Sequence, residues 1–322
     1  MESGRERFKL FLNQSPLFRP VFIPFIRGLL SRIEDRPMET LTADPALWAN
    51  SLEKATRLFG FDGVVAGLDA SLAARACGCR MEWREDRPVV LPLQGSPDET
   101  PDQSRPMQLG LEVTKRLFQI CQKDMACISA LTGPYTLAEQ LFGKAPSQKH
   151  MDGIKPLLVR MTKAYCETRP DVLMFMEGEA LTLTEIGVQH RRIYNTLKNI
   201  ANYYNIPVGL YLQDYRSDSI HSVSSLNMDM YIAGPCADQH PLMPSTVWDL
   251  GRGTLGLGIG LPLDDLETAK EILCQGAALY RDKPGHGVFF TSMGPVTREN
   301  NLETLHALVN EISNLILKGD IL

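Results

Sequence analysis

Short apolar runs recur along the chain, and longer stretches with helical periodicity separate most of them. In order the runs are "PVFIPF" (20–25), "DGVVAGL" (62–68), "ACISALT" (126–132), "DVLMFME" (171–177), "PVGLYLQ" (207–213), "MDMYIAG" (228–234), "TLGLGIG" (254–260) and "GVFFTS" (287–292). Such runs carry no polar alternation, which predicts strands buried on both faces. The segments between them predict helices. "DPALWANSLEKATRLFG" (44–60) has an Asp cap, Pro at the first helical position and a closing Gly, and "LDDLETAKEILCQGAALY" (263–280) keeps Leu266, Ala269, Ile272, Leu273 and Ala277 on one face. "RENNLETLHALVNEISNLILKG" (298–319) repeats the pattern.

Eight such strands alternating with helices predict an α/β fold, a single (β/α)8 TIM barrel domain over residues 1–322. An N-terminal helical extension precedes it. A doubly wound open sheet is the competing arrangement, but it wants a Gly-rich phosphate loop after its first strand, where this chain has "PFIRGLLSR". One segment breaks the alternation. "RMEWREDRPVVLPLQGSPDETPDQSR" (80–105) is rich in Pro, Asp and Ser and reads as a long loop after strand two, passing over the barrel mouth or lying on the surface.

Composition narrows the function classes. The chain has 322 residues, 44% of them hydrophobic, enough for a large core. Its formal net charge of −5 comes from mixed acids and bases without a basic stripe, which argues against nucleic acid as a partner. No run approaches a membrane span, and the first residues lack the apolar core of a secretory signal, so a cytoplasmic protein is expected. Seven scattered cysteines fit reduced thiols, and the close pair Cys77 and Cys79 stands without a second ligand cluster.

In a barrel of this kind, chemistry gathers where the strands end. Strand one ends near Arg27, strand two at Asp69, strand three at Thr132 to Tyr135, strand four at Glu177 and Glu179, and strand five at Gln213 and Asp214. Strand six ends at Cys236, Asp238 and His240, and strand eight at Ser292 and Met293. Polar residues are common at strand ends, because strands end where solvent begins. Several carboxylates at one mouth can also raise one another's pKa and handle protons, bind a hard cation, or accept hydrogen bonds from an N–H-rich substrate. Of the histidines only His221 and His240 fall in loops that reach the mouth. No zinc-protease, nucleophile-elbow, P-loop or dinucleotide motif is present.

Three segments resemble the uroporphyrinogen decarboxylase superfamily: "DGVVAGLD" followed by "ACGCRMEW", "ISALTGPYTLAEQLFG" (128–143), and "GVFFTSMGPVTRENNLETLHALV". The resemblance implies that Asp69, seven residues after the strand-opening Asp62, is the central site residue. It also implies a possible homodimer. The decarboxylases need no cofactor, use an Asp in this position to hold pyrrole N–H groups, and carry an Arg-Gln-Ala-Gly-Arg stretch after strand one. Here "PFIRGLLSR" leaves only Arg27 and Arg32 as substitutes.

"GPYTLAEQLFG" is closer to the corrinoid-dependent methyltransferase branch. Its thiol-activating members hold zinc with a His-x-Cys after strand five and a Cys after strand eight. Tyr211, Gln213 and Met293 stand at or near those positions here, so no metal is expected.

The leading expectation is a zinc-independent methyltransferase exchanging a methyl group between a small-molecule substrate and a corrinoid (cobalamin) protein, with no cofactor bound tightly to this chain. Asp69, Glu177 and Asp214 are its expected catalytic residues, and Arg27, Tyr135, Glu179, Gln213, His240 and Met293 its expected substrate contacts. A cofactor-independent decarboxylase of a pyrrolic acid and a non-catalytic tetrapyrrole- or corrinoid-binding barrel are the alternatives.

Overall fold

Every one of the eight apolar runs becomes a strand of one parallel sheet. In a computed structural model, which describes residues 2–143, 146–183, 185–238, 243–282 and 287–317, the strands are β1 (Val21–Phe22), β2 (Gly63–Ala66), β5 (Ala126–Thr132), β6 (Val172–Glu177), β7 (Val208–Leu212), β8 (Met230–Ala233), β9 (Gly256–Leu261) and β10 (Gly287–Ser292). Two further strands, β3 (Met81–Arg84) and β4 (Arg87–Val90), form a separate antiparallel hairpin. The sheet order β1-β10-β9-β8-β7-β6-β5-β2 returns the first strand to the second, as a (β/α)8 barrel requires. Among the described residues, no helix is long and apolar enough to cross a membrane.

The seam between β1 and β2 has no strand ladder of its own, and a side chain closes it. The backbone N–H of Asp62 donates to Phe22 O (3.0 Å), and its carboxylate Oδ2 accepts from Phe22 N (2.8 Å). The other carboxylate oxygen pairs with Arg7 and, at 3.2 Å, with Arg19. The same device recurs where β6 and β8 begin. Asp171 accepts from Cys127 N and Asp229 from Val208 N, each at 2.8 Å.

Inside the barrel, Val21, Phe25, Ile128, Met174, Tyr211, Ile232 and Phe289 form a closed cluster. The N-terminal extension completes it from below. The helix Gly4–Leu12 presents Phe8 and Phe11 to the interior, where the Phe11 ring packs edge-on against Phe289 at 5.2 Å. This crowding explains the alternating glycines of β9, since a Cβ on Gly258 would come within 2.6 Å of the Phe289 ring.

The helix Pro45–Phe59 begins and ends as its sequence predicts, with the Asp44 carboxylate accepting from Ala46 N and Leu47 N and Gly60 left-handed at φ 69°. The last helix is shorter than its periodicity suggests. It spans Leu302–Asn314 and starts where the Asn301 side chain accepts from Glu303 N. Of the cysteines, six are buried and Cys274 is exposed.

The seam carries a direct expectation. Asp62 and Arg7 are both almost wholly buried, so Asp62→Ala leaves the Arg7 guanidinium with only the more exposed Glu2 as partner, and an open strand edge. It should lower unfolding stability by about 3–5 kcal/mol in urea titration, and a loss below about 1 kcal/mol would mean the seam is held some other way.

Candidate functional site

The C-terminal ends of β1 and β2 sit beneath the hairpin, and a pocket lies between them. Its walls are mostly apolar, with Met38, Trp48, Leu52 and Trp83 among them, and its polar members include Arg27, Asp69 and Asp86. The empty envelope is about 390 Å³, and the pocket is narrow and partly open to solvent. The hairpin tip forms part of its wall. The Asp86 carboxylate accepts from Ser31 Oγ (2.7 Å) and Met38 N (3.1 Å), tying the turn to two helices beside the mouth.

Asp69 is buried, and one of its oxygens is committed. Oδ1 accepts from Ser71 N (2.9 Å) and Ser71 Oγ (2.6 Å), while Oδ2 receives no hydrogen bond among the described residues. Arg27 has no hydrogen-bond acceptor or ion-pair partner for its guanidinium among the described residues, and its Nε is sealed from solvent. Burial pulls the Arg27 pKa down, and the nearby Asp69 pushes it back up. A half-buried cation and a buried carboxylate that attract without touching are matched to a ligand that reaches both.

A second group ties β7 to the end of β10. Tyr211 is wholly buried, donates its hydroxyl to Met293 O (2.9 Å), and accepts from Gln213 Nε2 (3.2 Å). These are the positions at or near which the resemblance implies imidazole and thiolate in zinc-binding relatives. A phenol and an amide committed to each other and to a main-chain carbonyl do not fit that ion.

Glu177, expected at the mouth, is sealed beneath it with no exposed surface. Its carboxylate accepts from Tyr135 N (2.9 Å), Thr136 N (2.8 Å), Thr136 Oγ1 (2.6 Å) and the Tyr194 hydroxyl. Three of those donors, two of them main-chain N–H groups, belong to the first turn of the helix Pro134–Phe142, where a helix favours negative charge. Burial pushes the Glu177 pKa up, against the pull of the Thr136, Tyr194 and Tyr135 hydrogen bonds. The "GPYT" stretch is thereby explained. A Cβ on Gly133 would collide with the Glu177 carboxyl, Pro134 opens the helix, and Thr136 both donates to Glu177 and accepts from Gly178 N (2.7 Å). Glu177 thus positions a loop and does not face a ligand.

The remaining expected residues are dispersed. Tyr135 is buried and stacks on His190 with ring centroids 4.2 Å apart. Asp214 is exposed at the rim in the left-handed region, φ 51°, with its N–H on Pro235 O. Glu179 is half-buried at the end of β6, and His221 is exposed. His240 lies outside the described residues. Trp48, Trp83 and Asp86 were not foreseen. Only the predicted excursion of residues 80–105 over the mouth hinted at the last two.

Two measurements test this arrangement. Asp86→Ala should free the hairpin tip, so that trypsin cuts after Arg84 several-fold faster than in the parent protein; equal rates would show that Asp86 is no latch. His190 is held neutral, its Nδ1 accepting from Gly187 N, and burial depresses its pKa from 6.5 to about 4. The unfolded chain takes up that proton first as pH falls. Stability should therefore drop between pH 6.5 and about 4, and the drop should shrink in His190→Gln; an identical pH profile in urea titrations would overturn this.

Comparison with known proteins now adds to the geometry. Residues 4–168 match the family model for uroporphyrinogen decarboxylase (URO-D). Among solved structures, a methyltransferase from Methanosarcina mazei superposes with a TM-score of 0.76 at 14% identity, covering 97% of this chain and 99% of that one. A B12-independent methionine synthase from Shewanella sp. W3-18-1, in complex with selenomethionine, gives a TM-score of 0.63 at 13% identity, covering 92% and 96%. A search of curated proteins returns no match. The structural likenesses establish the shared barrel. The family model spans just over half of the sequence, and on that ground the chain belongs to the uroporphyrinogen decarboxylase family.

Proposed function

We propose that this protein is a methyltransferase of the corrinoid-dependent type that works without zinc, moving a methyl group between a small substrate and a corrinoid carried by a separate protein. The observation that carries this reading is the narrow pocket in which Asp69 keeps one oxygen free beside an unpaired Arg27. A pocket of this size suits a small molecule better than a tetrapyrrole. The Tyr211 to Met293 tie also speaks against activation of a thiol by a metal at those positions. The fold shared with a methyltransferase supports the same direction.

The roles follow from the contacts. The corrinoid supplies the methyl acceptor, or the donor in the reverse direction. Ser71 fixes the Asp69 carboxylate through one oxygen and leaves the other for the substrate. In demethylation the methyl departs without its bonding pair, the pair stays on the substrate's nitrogen or oxygen, and Asp69 exchanges a proton with that atom. Arg27 holds an anionic group of the substrate. Glu177 acts at one remove, by fixing the Tyr135 and Thr136 turn.

The test is spectral. Methylcobalamin incubated with the protein and candidate amine or hydroxyl acceptors should show the absorbance change of demethylation, and Asp69→Asn should slow it about 100-fold while leaving the thermal unfolding transition in place. Full turnover in Asp69→Asn would sink the assignment. Turnover of uroporphyrinogen in place of methyl transfer would move the function to the decarboxylases.

A further inference from the structure

The pocket beneath the hairpin also restricts what can fill it. We propose that its ligand is an N-methylated amino acid in the zwitterionic form, with the carboxylate on Arg27 and the tertiary ammonium between Asp69 and the faces of Trp48 and Trp83. This rests on the methyl-transfer reading only for the fate of the methyl group, because the recognition argument is independent of any reaction.

Two unmet groups set the ligand's charges. The Arg27 guanidinium has no partner among the described residues, so an anion completes it. The Asp69 Oδ2 atom accepts nothing, so an N–H or a cation completes it. A ligand that meets both is neutral overall, and it adds no net charge to a narrow, mostly apolar pocket. A carboxylate alone would leave Asp69 facing an apolar group, and an amine alone would leave Arg27 unpaired.

The walls then decide which zwitterion. A primary ammonium brings three donors, and the pocket offers little to receive them. Asp86 already accepts from Ser31 and Met38, Thr42 Oγ1 is engaged with Met38 O at 2.8 Å, and Met38, Trp48, Leu52 and Trp83 supply apolar surface. A tertiary ammonium brings one N–H, matching the one free oxygen of Asp69. Its methyl groups carry the spread positive charge, which aromatic faces bind well. The hairpin supplies one wall of the pocket through Trp83, Asp86 and Pro88.

N,N-dimethylglycine is the direct probe, and three near-isosteres dissect it. Isovalerate replaces the nitrogen by carbon, dimethylaminoethanol replaces the carboxylate by an alcohol, and glycine lacks the methyl groups. Two of the three tryptophans line the pocket, so intrinsic fluorescence and calorimetry on the intact protein, without any corrinoid, read occupancy.

Dimethylglycine should bind at least tenfold more tightly than each comparator. Arg27→Gln and Asp69→Asn should each weaken it at least tenfold, with Asp69→Asn leaving isovalerate affinity unchanged. Isovalerate or dimethylaminoethanol binding as tightly as dimethylglycine would reduce the site to a plain anion or cation pocket and overturn the proposal, as would equal affinity for glycine or no binding at all. Should either variant fail to fold, the ligand series on the unaltered protein decides the question. Methyl transfer to some other acceptor with no dimethylglycine binding would overturn this inference alone. Binding without methyl transfer would overturn the proposed function alone.

Discussion

The Asp62 carboxylate holds together the one place where the barrel has no strand ladder. β1 meets β10 through main-chain pairing, extended by Thr291 Oγ1 donating to Ile23 O and Ser292 Oγ accepting from Phe25 N. On its other side β1 meets β2 through Asp62, backed by Arg7 and Arg19. The two strands so joined carry Arg27 and Asp69 at their opposite ends. The relative height of the two charged groups in the pocket is thus set at the floor of the barrel, about a strand's length away, by an ion cluster that touches neither.

Above that floor the polar residues divide by what they are hydrogen-bonded to. Glu177 and Asp69 both follow apolar strands, yet four donors surround the first and the second keeps an oxygen free. A carboxylate with every lone-pair direction filled stiffens its surroundings; one with a free oxygen can exchange partners. Tyr211 belongs with Glu177 in this respect. Its hydroxyl joins the ends of two strands and leaves little capacity for a ligand.

The fold was readable in the sequence because a strand covered on both faces must be apolar throughout, and no other short element shows that signature. The ends of β1 and β2 could be located by the same reasoning, which is why the position of Arg27 and Asp69 beyond those strands was legible from letters alone. The hairpin escaped because its strands are half-exposed and carry Arg and Glu, so they lack the apolar signature that marks the barrel strands. Glu177 was misjudged for a different reason. Whether a strand-end carboxylate faces solvent depends on side chains from other elements, here Thr136 and Tyr194, that periodicity does not bring to it. The tryptophans of the pocket come from a helix and from the hairpin, away from the barrel-strand ends that the apolar runs mark.

The three aspartate clamps also impose an order on assembly. Asp62, Asp171 and Asp229 reach back 40, 44 and 21 residues to the strand before them, so each can form as soon as its own stretch of chain has been made. The pairing of β1 with β10 spans more than 260 residues. During synthesis β1 therefore waits, held on one side by Asp62 alone, until nearly the whole chain has left the ribosome. The strand that delivers Arg27 is the last to gain its second neighbour, and the pocket beneath the hairpin is among the final parts of the molecule to take shape.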